Sequence, residues 1–475
     1  MSEEDVPSNE AYLKHLQGFN EEGGAVKITA NIHNEQGVLL LSKGEKLTDQ
    51  SVDKIIQHKL NRPLEDCVGL EPMLNPKQLR ARFEEVLAAY PDVAKVFNGT
   101  QAPKVLLPCL IAMQDYATVF QKLTVMAHRM DKVFERVLVN AALVLAVSMS
   151  AKIDKKEIIK RISTTLIQDL GYLHLPESLS QQFTPDIDVL KAYYAHPLVS
   201  QQIAKQVHGL PASVVRAVGE HHERFDGSGF PKGIALEKLS QVVQYTGMVD
   251  ELTRIMFSRG DKPKIDVYEA FLQLQFRRTH FCDQTFAEFQ VLLNQHEWPL
   301  SPLAGQQDLR TFSRLQLVYY AQCLFYCDVI ARIQEASQLD HDCVSIRRIH
   351  IKSKSTINTI YASGMLSLPI RRFIEEVNQN PSGDFLLDMI EIDHSHLGIL
   401  DCLEEIFLQL EYIIEVESKI NEISDAPAFI ALEGCYAYLK HLQFMKGASR
   451  GWESLVNELH GGANDLSSII ESIQV

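Results

Sequence analysis

The chain has 475 residues, 46% of them hydrophobic and 23% charged, with a net charge of −15. That length allows about three domains, and an acidic chain without a Lys/Arg block lacks the basic face that a phosphate-backbone binder needs to release counterions. The acidic start Met1-Ser2-Glu3-Glu4-Asp5 has no apolar h-region of a signal peptide, and eight cysteines without paired spacing point, with it, to a reducing cytoplasm.

Residues 1–22 are polar and acidic and are expected to be flexible. A small module follows in 23–75. Val26, Ile28, Ala30 and Ile32 alternate with polar residues, Asn34 to Gly37 form a turn, and Val38 to Leu41 are a second apolar run, which predicts a β-hairpin. Thr48 is placed to N-cap a helix through Leu60, with Val52, Ile55 and Ile56 on its inner face and Asn61-Arg62-Pro63 ending it. Residues 76–124 read as connecting helices: Phe83, Val86 and Leu87 share a stripe, and 105–126 reads as one long amphipathic helix. From 77 to about 295 the period is helical, broken at Pro91, Gly99, Pro103, Pro176, Pro185, Pro197 and Pro211 and in the loop 227–233. Lys155, Lys156, Lys160 and Arg161 form a small basic cluster, expected to be a solvated helix face.

The apolar runs 137–150 and 315–329 fall short of the ~20 residues needed to span a bilayer and read as buried helices. A second helical block covers 302–475, with breaks at Asn380-Pro381-Ser382-Gly383 and Gly461-Gly462. Within it Cys323 and Cys327 read as a free-thiol core pair. His394 and His396, at i, i+2, point apart on a helix, and His341 and His350 sit in loop-like contexts; none of the four is expected to ligate metal. This block carries no motif.

The most informative stretch is His221-His222-Glu223-Arg224-Phe225-Asp226-Gly227-Ser228-Gly229-Phe230-Pro231. Imidazoles are the common ligands of transition metals, Gly227 and Gly229 open backbone angles closed to other residues, and Pro231 fixes the exit. The string resembles HHExxDGxGYP, the signature of HD-GYP domains, which are metal-dependent phosphohydrolases of bacterial cyclic di-GMP signalling. Phe230 stands where the family has tyrosine. The resemblance covers about 125–295, and the hairpin-plus-helix resembles the small module that often precedes such domains. It implies a mainly α fold: a helical HD-GYP-like domain with a small N-terminal α+β module and a C-terminal helical domain.

The resemblance also implies two or three metal ions, held by His and Asp from several helices, that activate water and clamp the phosphate. Carried over residue by residue, the family's first ligand histidine falls at Arg136, or at Val133 in a shifted register, and neither side chain can ligate a metal. Its HDxGK string is Gln168-Asp169-Leu170-Gly171-Tyr172, in register through Leu175-Pro176-Glu177-Ser178-Leu179, so Gln168 replaces a ligand histidine and Tyr172 the phosphate lysine. His196-Pro197 and the pair His221-His222 match. Asp250-Glu251-Leu252-Thr253 matches the family's DALT, which puts Gly247 where the family has a ligand aspartate. Asp169, His196, His221 and His222 are thus kept, and Arg136, Gln168, Tyr172 and Gly247 mark lost positions. The four kept residues are either inherited polar scaffold or the holders of one residual ion, Fe, Mn or Zn. In the family the loop, here Glu223, Arg224, Asp226, Gly227, Gly229, Phe230 and Pro231, selects substrate and contacts diguanylate cyclase domains; a folding element between two helices is the alternative.

The expected function is a catalytically impaired regulator or adaptor in bacterial cyclic di-nucleotide signalling. Two alternatives stand beside it: an active phosphodiesterase recruiting His128, His174 or His208 to its metal site, and a structural scaffold without nucleotide affinity. The expected partners are cyclic di-GMP or a diguanylate cyclase domain, and other signalling proteins through 302–475. No nucleic acid and no membrane span are expected.

Overall fold

The computed structural model of the chain describes residues 10–175, 187–234, 239–257, 265–303, 308–339, 343–417 and 427–441. Pro176 to Leu179, Pro185, His341 and the Gly461-Gly462 break therefore lie outside the described residues. The chain divides into two units. One contains Met1–Glu223, Leu239–Gly260 and Gln284–His296; the other contains Arg224–Lys238, Asp261–Asp283 and Glu297–Val475.

The first unit opens on a helix where flexibility was expected. α1, Glu10–Glu21, buries Tyr12, Leu13, His15, Leu16 and Phe19, an apolar stripe at helical spacing hidden in the sequence by acidic neighbours. The hairpin is half as long as its alternation suggested. β2, Ile32–His33, pairs with β3, Leu39–Leu41, across the Asn34–Gly37 turn. β1, Ala25–Ile28, instead pairs antiparallel with β4, Val68–Glu71. The run is divided at Ala30 and Asn31, where the Asn31 side chain accepts from the Lys43 amide at 2.8 Å. Thr48 does cap α2, Asp49–Ile56, in a reciprocal box with Ser51, and the helix ends at Gln57 rather than Leu60.

α3, Pro76–Ala89, and α4, Pro91–Asn98, follow the predicted breaks. The single helix expected over 105–126 is two, α5, Ala102–Ala112, and α6, Ala117–Arg129. The turn between them, with Tyr116 donating its amide to Met113 O at 2.9 Å, contains neither Gly nor Pro and so left no sequence mark. α7, Asp131–Ser150, is buried at Val133, Phe134 and every position from Arg136 to Ser148. It is the one helix among the described residues long and apolar enough to cross a membrane, and 83% of its apolar window is buried inside the fold, as expected of a core helix. α3, α4, α6, α8 (Lys155–Ile167) and α11 (Gln241–Phe257) pack on it. Arg161 on α8 is not solvated: it is fully buried, donates to Ser148 Oγ at 3.1 Å and lies 3.7 Å over the Tyr245 ring. α9, Ile187–Gln206, α10, Ala212–Glu220, and α13, Asp283–Leu293, complete the helices around this core.

A buried charge cluster ties the N-terminal elements to this helical body. Lys122 on α6 is wholly buried, pairs with Glu65 of the 3-10 turn Leu64–Asp66, meets His174 Nε2 at 2.7 Å and lies 3.7 Å over the Tyr12 ring. Tyr12 in turn stacks on His174, centroids 4.9 Å apart. Burial pushes His174 down to about 3, with Lys122 adding to the shift, so it is the neutral acceptor of the Lys122 proton. Burial raises the Glu65 carboxyl, but Lys122 and His174 outweigh it and bring it to about 2.

The second unit is built on α14, Leu309–Ser337, against which α15 (Val344–Ser363), α16 (Leu368–Gln379), α17 (Leu386–Tyr412) and α18 (Pro427–His441) pack. Its core includes Cys323, Cys327, Ile330, Ile349, Ile399, Leu403 and Ile406, and both thiols are free and buried, as their spacing suggested. His350 lies inside α15 rather than in a loop. His394 and His396 have separate partners, Ser301 O at 2.9 Å and Gln316 Oε1 at 2.9 Å. α12, Val267–Leu274, and the 3-10 segment Gln275–His280 also belong to this unit. There Arg277, 1% exposed, is held by Asp401 and Glu405 of α17.

Candidate functional site: a three-histidine cluster with a buried arginine clamp

In the first unit two helices bring three imidazoles together. His196 comes from the middle of α9, and His221 and His222 follow the C-terminal end of α10. All three are buried, and one ligand nitrogen from each lies within 4.8 Å of the others. The 3-10 turn Leu170–His174, after α8, delivers Asp169 and Tyr172 to the same place. Asp169 Oδ1 is 3.5 Å from His196 Nε2, and the Tyr172 ring stacks on the His196 imidazole at 4.3 Å and 17°. Tyr193, one turn before His196, sets its ring 5.0 Å from His222.

Gly171 makes this approach possible. A Cβ there would stand 2.4 Å from His196 O, 2.7 Å from Ser200 Oγ and 2.9 Å from Ser200 N, and the Gly171 amide donates to Ser200 Oγ at 2.8 Å. Gly171→Ala is therefore expected to push the turn off α9, cost roughly 1–3 kcal/mol as overpacking, and weaken Mn2+ binding. Thermal melting and a Mn2+ titration check this; a variant that melts and binds like the parent would show that the turn gives way freely.

The protonation of the histidines follows from their partners. His196 Nδ1 meets Tyr193 O at 2.6 Å and His221 Nδ1 meets Val218 O at 2.7 Å. A carbonyl oxygen only accepts, so both Nδ1 atoms carry hydrogen. The Nε2 atoms then face one another, 3.1 Å apart. Neutral rings would set two lone pairs head to head. A cation between them, metal ion or single proton, relieves this. Two nitrogens bound ~2.1 Å from a tetrahedral ion stand roughly 3.4 Å apart, and an Nδ1–H held by a backbone carbonyl is the usual outer support of a metal-bound imidazole. His196, His221 and His222 thus fit one divalent ion, with Asp169 Oδ1 set against His196 alone.

They do not fit two. Arg136 on α7 donates from Nη2 to Asp169 Oδ2 at 2.9 Å and from Nη1 to Asp250 Oδ1 at 3.3 Å. Asn140, one turn along α7, and Gln168, at the end of α8, donate to the same Asp250 oxygen at 3.1 and 3.0 Å. The other Asp250 oxygen lies 3.7 Å from His222 Nδ1. Burial opposes the Arg136 charge, but Asp169 and Asp250 overcome it and hold the guanidinium above its ordinary pKa. Burial pushes the Asp169 carboxyl up, and Arg136 is what opposes that shift. The Tyr172 phenol, raised chiefly by burial, stays neutral and supplies no cation for a phosphate.

A family profile of the HD domain matches residues 121–286. Over 138 residues the chain is 22% identical to a cyclic di-GMP phosphodiesterase of Borreliella burgdorferi, covering 28% of this chain and 35% of that protein. Over 128 residues it is 26% identical to a cyclic di-GMP phosphodiesterase of Pseudomonas aeruginosa, covering 26% and 30%. It is 31% identical over 101 residues to a 3'3'-cGAMP-specific phosphodiesterase of Vibrio cholerae, covering 20% and 23%. The chain carries an HD domain of the HD-GYP type. The match spans about a third or less of each of these curated relatives.

Within the HD domain, His196, His221 and His222 converge, and Asp169 lies against His196. Gly247 is buried in α11, and the carboxylate that this helix sends into the pocket comes from Asp250, one turn further on. Sequence reasoning used Asp250 only to set register, and did not find Asn140. The i, i+4 step from Arg136 to Asn140 was the one available signal that both share a face. None of the three substitute histidines is in the cluster: His128 meets Thr124 O at 2.9 Å, His174 serves Lys122, and His208 is exposed.

The Gly-rich loop belongs to the second unit from Arg224 onward. The Phe225 amide donates to His280 O at 2.8 Å, Asp226 Oδ1 accepts from the Ser228 amide at 2.9 Å, and Gly227 adopts a φ of +81° that favours glycine. Arg224 lies 5.6 Å over the Phe281 ring. Glu223, Arg224 and Phe230 are buried, and so are Gly227 and Gly229, whereas Pro231 is half-buried. Within its unit the loop is tied to the 3-10 segment Gln275–His280 by the Phe225–His280 hydrogen bond.

Proposed function

We propose that this chain is a non-hydrolytic HD-GYP-type protein that regulates or adapts bacterial cyclic di-nucleotide signalling in the cytoplasm. The carrying observation is that Gln168, where the resemblance expects a ligand histidine, turns its amide to Asp250 at 3.0 Å. That leaves the histidine cluster with the donor set of one ion. A bound divalent ion would polarise a phosphoryl oxygen and acidify a bound water. His196, His221 and His222 would hold it with Asp169, while Tyr172 and Tyr193 offer aromatic surface suited to stacking on a base. Tyr172 offers a neutral phenol where the resemblance expects the phosphate lysine. The cyclic di-nucleotide phosphodiesterases among the relatives support that ligand class. Eight free thiols suit a reducing compartment. Partner proteins, a diguanylate cyclase domain among them, would bind through the loop or 302–475.

Purified protein with Mn2+ is expected to turn over cyclic di-GMP and 3'3'-cGAMP at least about a thousand-fold more slowly than an active phosphodiesterase, a barrier difference of ~4 kcal/mol, yet to bind one of them in calorimetry. Robust turnover abolished by His221→Ala would overturn the reading. Absence of both turnover and binding would leave the scaffold.

A further inference from the structure

We propose that the Arg136 guanidinium is the pocket's resident second cation: it bridges Asp169 and Asp250 as a divalent ion would, and so limits the chain to one metal ion, at the histidines. The inference rests on the one-ion reading above and adds the agent that enforces it. Three observations carry it. First, the two carboxylates come from the end of α8 and the middle of α11, and Arg136 reaches both, at 2.9 and 3.3 Å, with all three side chains buried. Second, the Asp250 oxygen facing Arg136 also accepts from Asn140 and Gln168, so three donors converge on a point where a metal would need open lone pairs. Third, two carboxylates and one guanidinium leave a single net negative charge beside His196, His221 and His222, which offsets half the charge of one divalent ion there and none of a second.

A divalent ion bridging Asp169 Oδ2 and Asp250 Oδ1 would sit ~2.0–2.2 Å from those oxygens, within the volume that the guanidinium fills. Arginine keeps its charge throughout the range in which proteins are stable, so the clamp is not released by loss of the arginine's proton. A lysine at 136 would offer one ammonium, which cannot reproduce the two-armed reach. The structure also reduces what is needed to recover a second site. Asp250 already supplies a carboxylate from α11, so Gly247 need not change.

The test is Mn2+ stoichiometry and its electron paramagnetic resonance signal in full-length protein. Wild type is expected to bind at most one Mn2+ per chain and to give an uncoupled six-line spectrum. Arg136→His with Gln168→His is expected to bind two and to show the broadened multiline spectrum of a coupled pair. Arg136→Lys, which keeps a positive charge should the double variant fail to fold, is expected to take up a second Mn2+ at least ten-fold more tightly than wild type. Two coupled ions in wild type would overturn the proposal, as would a folded double variant that still holds one, or Arg136→Lys indistinguishable from wild type. Phosphodiester turnover by wild type with one ion would overturn the functional reading and leave this inference standing.

Discussion

Arg136→Met is expected to destabilise the first unit by about 3–5 kcal/mol, the usual cost of removing one partner from a buried ion pair. Methionine fills similar volume, so the loss is electrostatic: Asp169 and Asp250, 1% and 0% exposed, would face each other without the cation between them. Urea unfolding followed by circular dichroism measures it. Adding Asp169→Asn and Asp250→Asn should recover most of the loss, because the stranded charges go with the cation. A loss below ~1 kcal/mol in the single variant would mean that the carboxylates take up protons or water at little cost, and the clamp would not be a structural necessity.

Lys122→Met is expected to cost about as much by the same reasoning, and it also changes the response to pH. In the wild type both Glu65 and His174 have folded-state values below their ordinary ones, about 2 and about 3. A depressed group contributes stability above its unfolded pKa and loses it as pH falls toward the folded value. Wild-type stability should therefore decline on acidification from about pH 6.5, where unfolded histidine begins to bind protons, toward pH 3. Without Lys122, burial acts on Glu65 against only His174 and a backbone hydrogen bond, so its carboxyl moves up and its contribution shrinks, and His174 loses a cation that depresses it. The melting temperature of Lys122→Met should vary less over pH 6.5–4 than that of wild type. Parallel pH curves would show that the cluster does not govern acid sensitivity.

Both predictions rest on long-range charge pairings, and these were the least legible features in sequence. Local signals read well: the Thr48 cap, the helix breaks at Pro91 and Pro103, the Cys323–Cys327 step, and the motif histidines, whose spacing encodes their convergence. Arg136 was legible as a missing histidine, but not as the counter-ion of Asp169, 33 positions away, and of Asp250, 114 positions away. Lys122 looks like any lysine on an amphipathic helix until Glu65 and His174 fold against it. β1 shows a clean alternation, yet nothing local says that its partner is β4 and not the nearer apolar run. α1 was masked because an acidic flank outweighs four apolar residues when composition is averaged over twenty.

The burial of α7 on nearly all its faces has a practical consequence. A helix with no solvent-facing side has no local opening motion that frees its backbone amides, so they should exchange with deuterium only when the whole unit opens. α7 is then an internal clock for global opening of the first unit, read from a handful of amide resonances or one peptide by mass spectrometry. Any cation or nucleotide that binds the folded form alone slows that clock by the factor 1 + [L]/Kd. Candidate ligands can thus be ranked on the intact chain, without a label and without turnover.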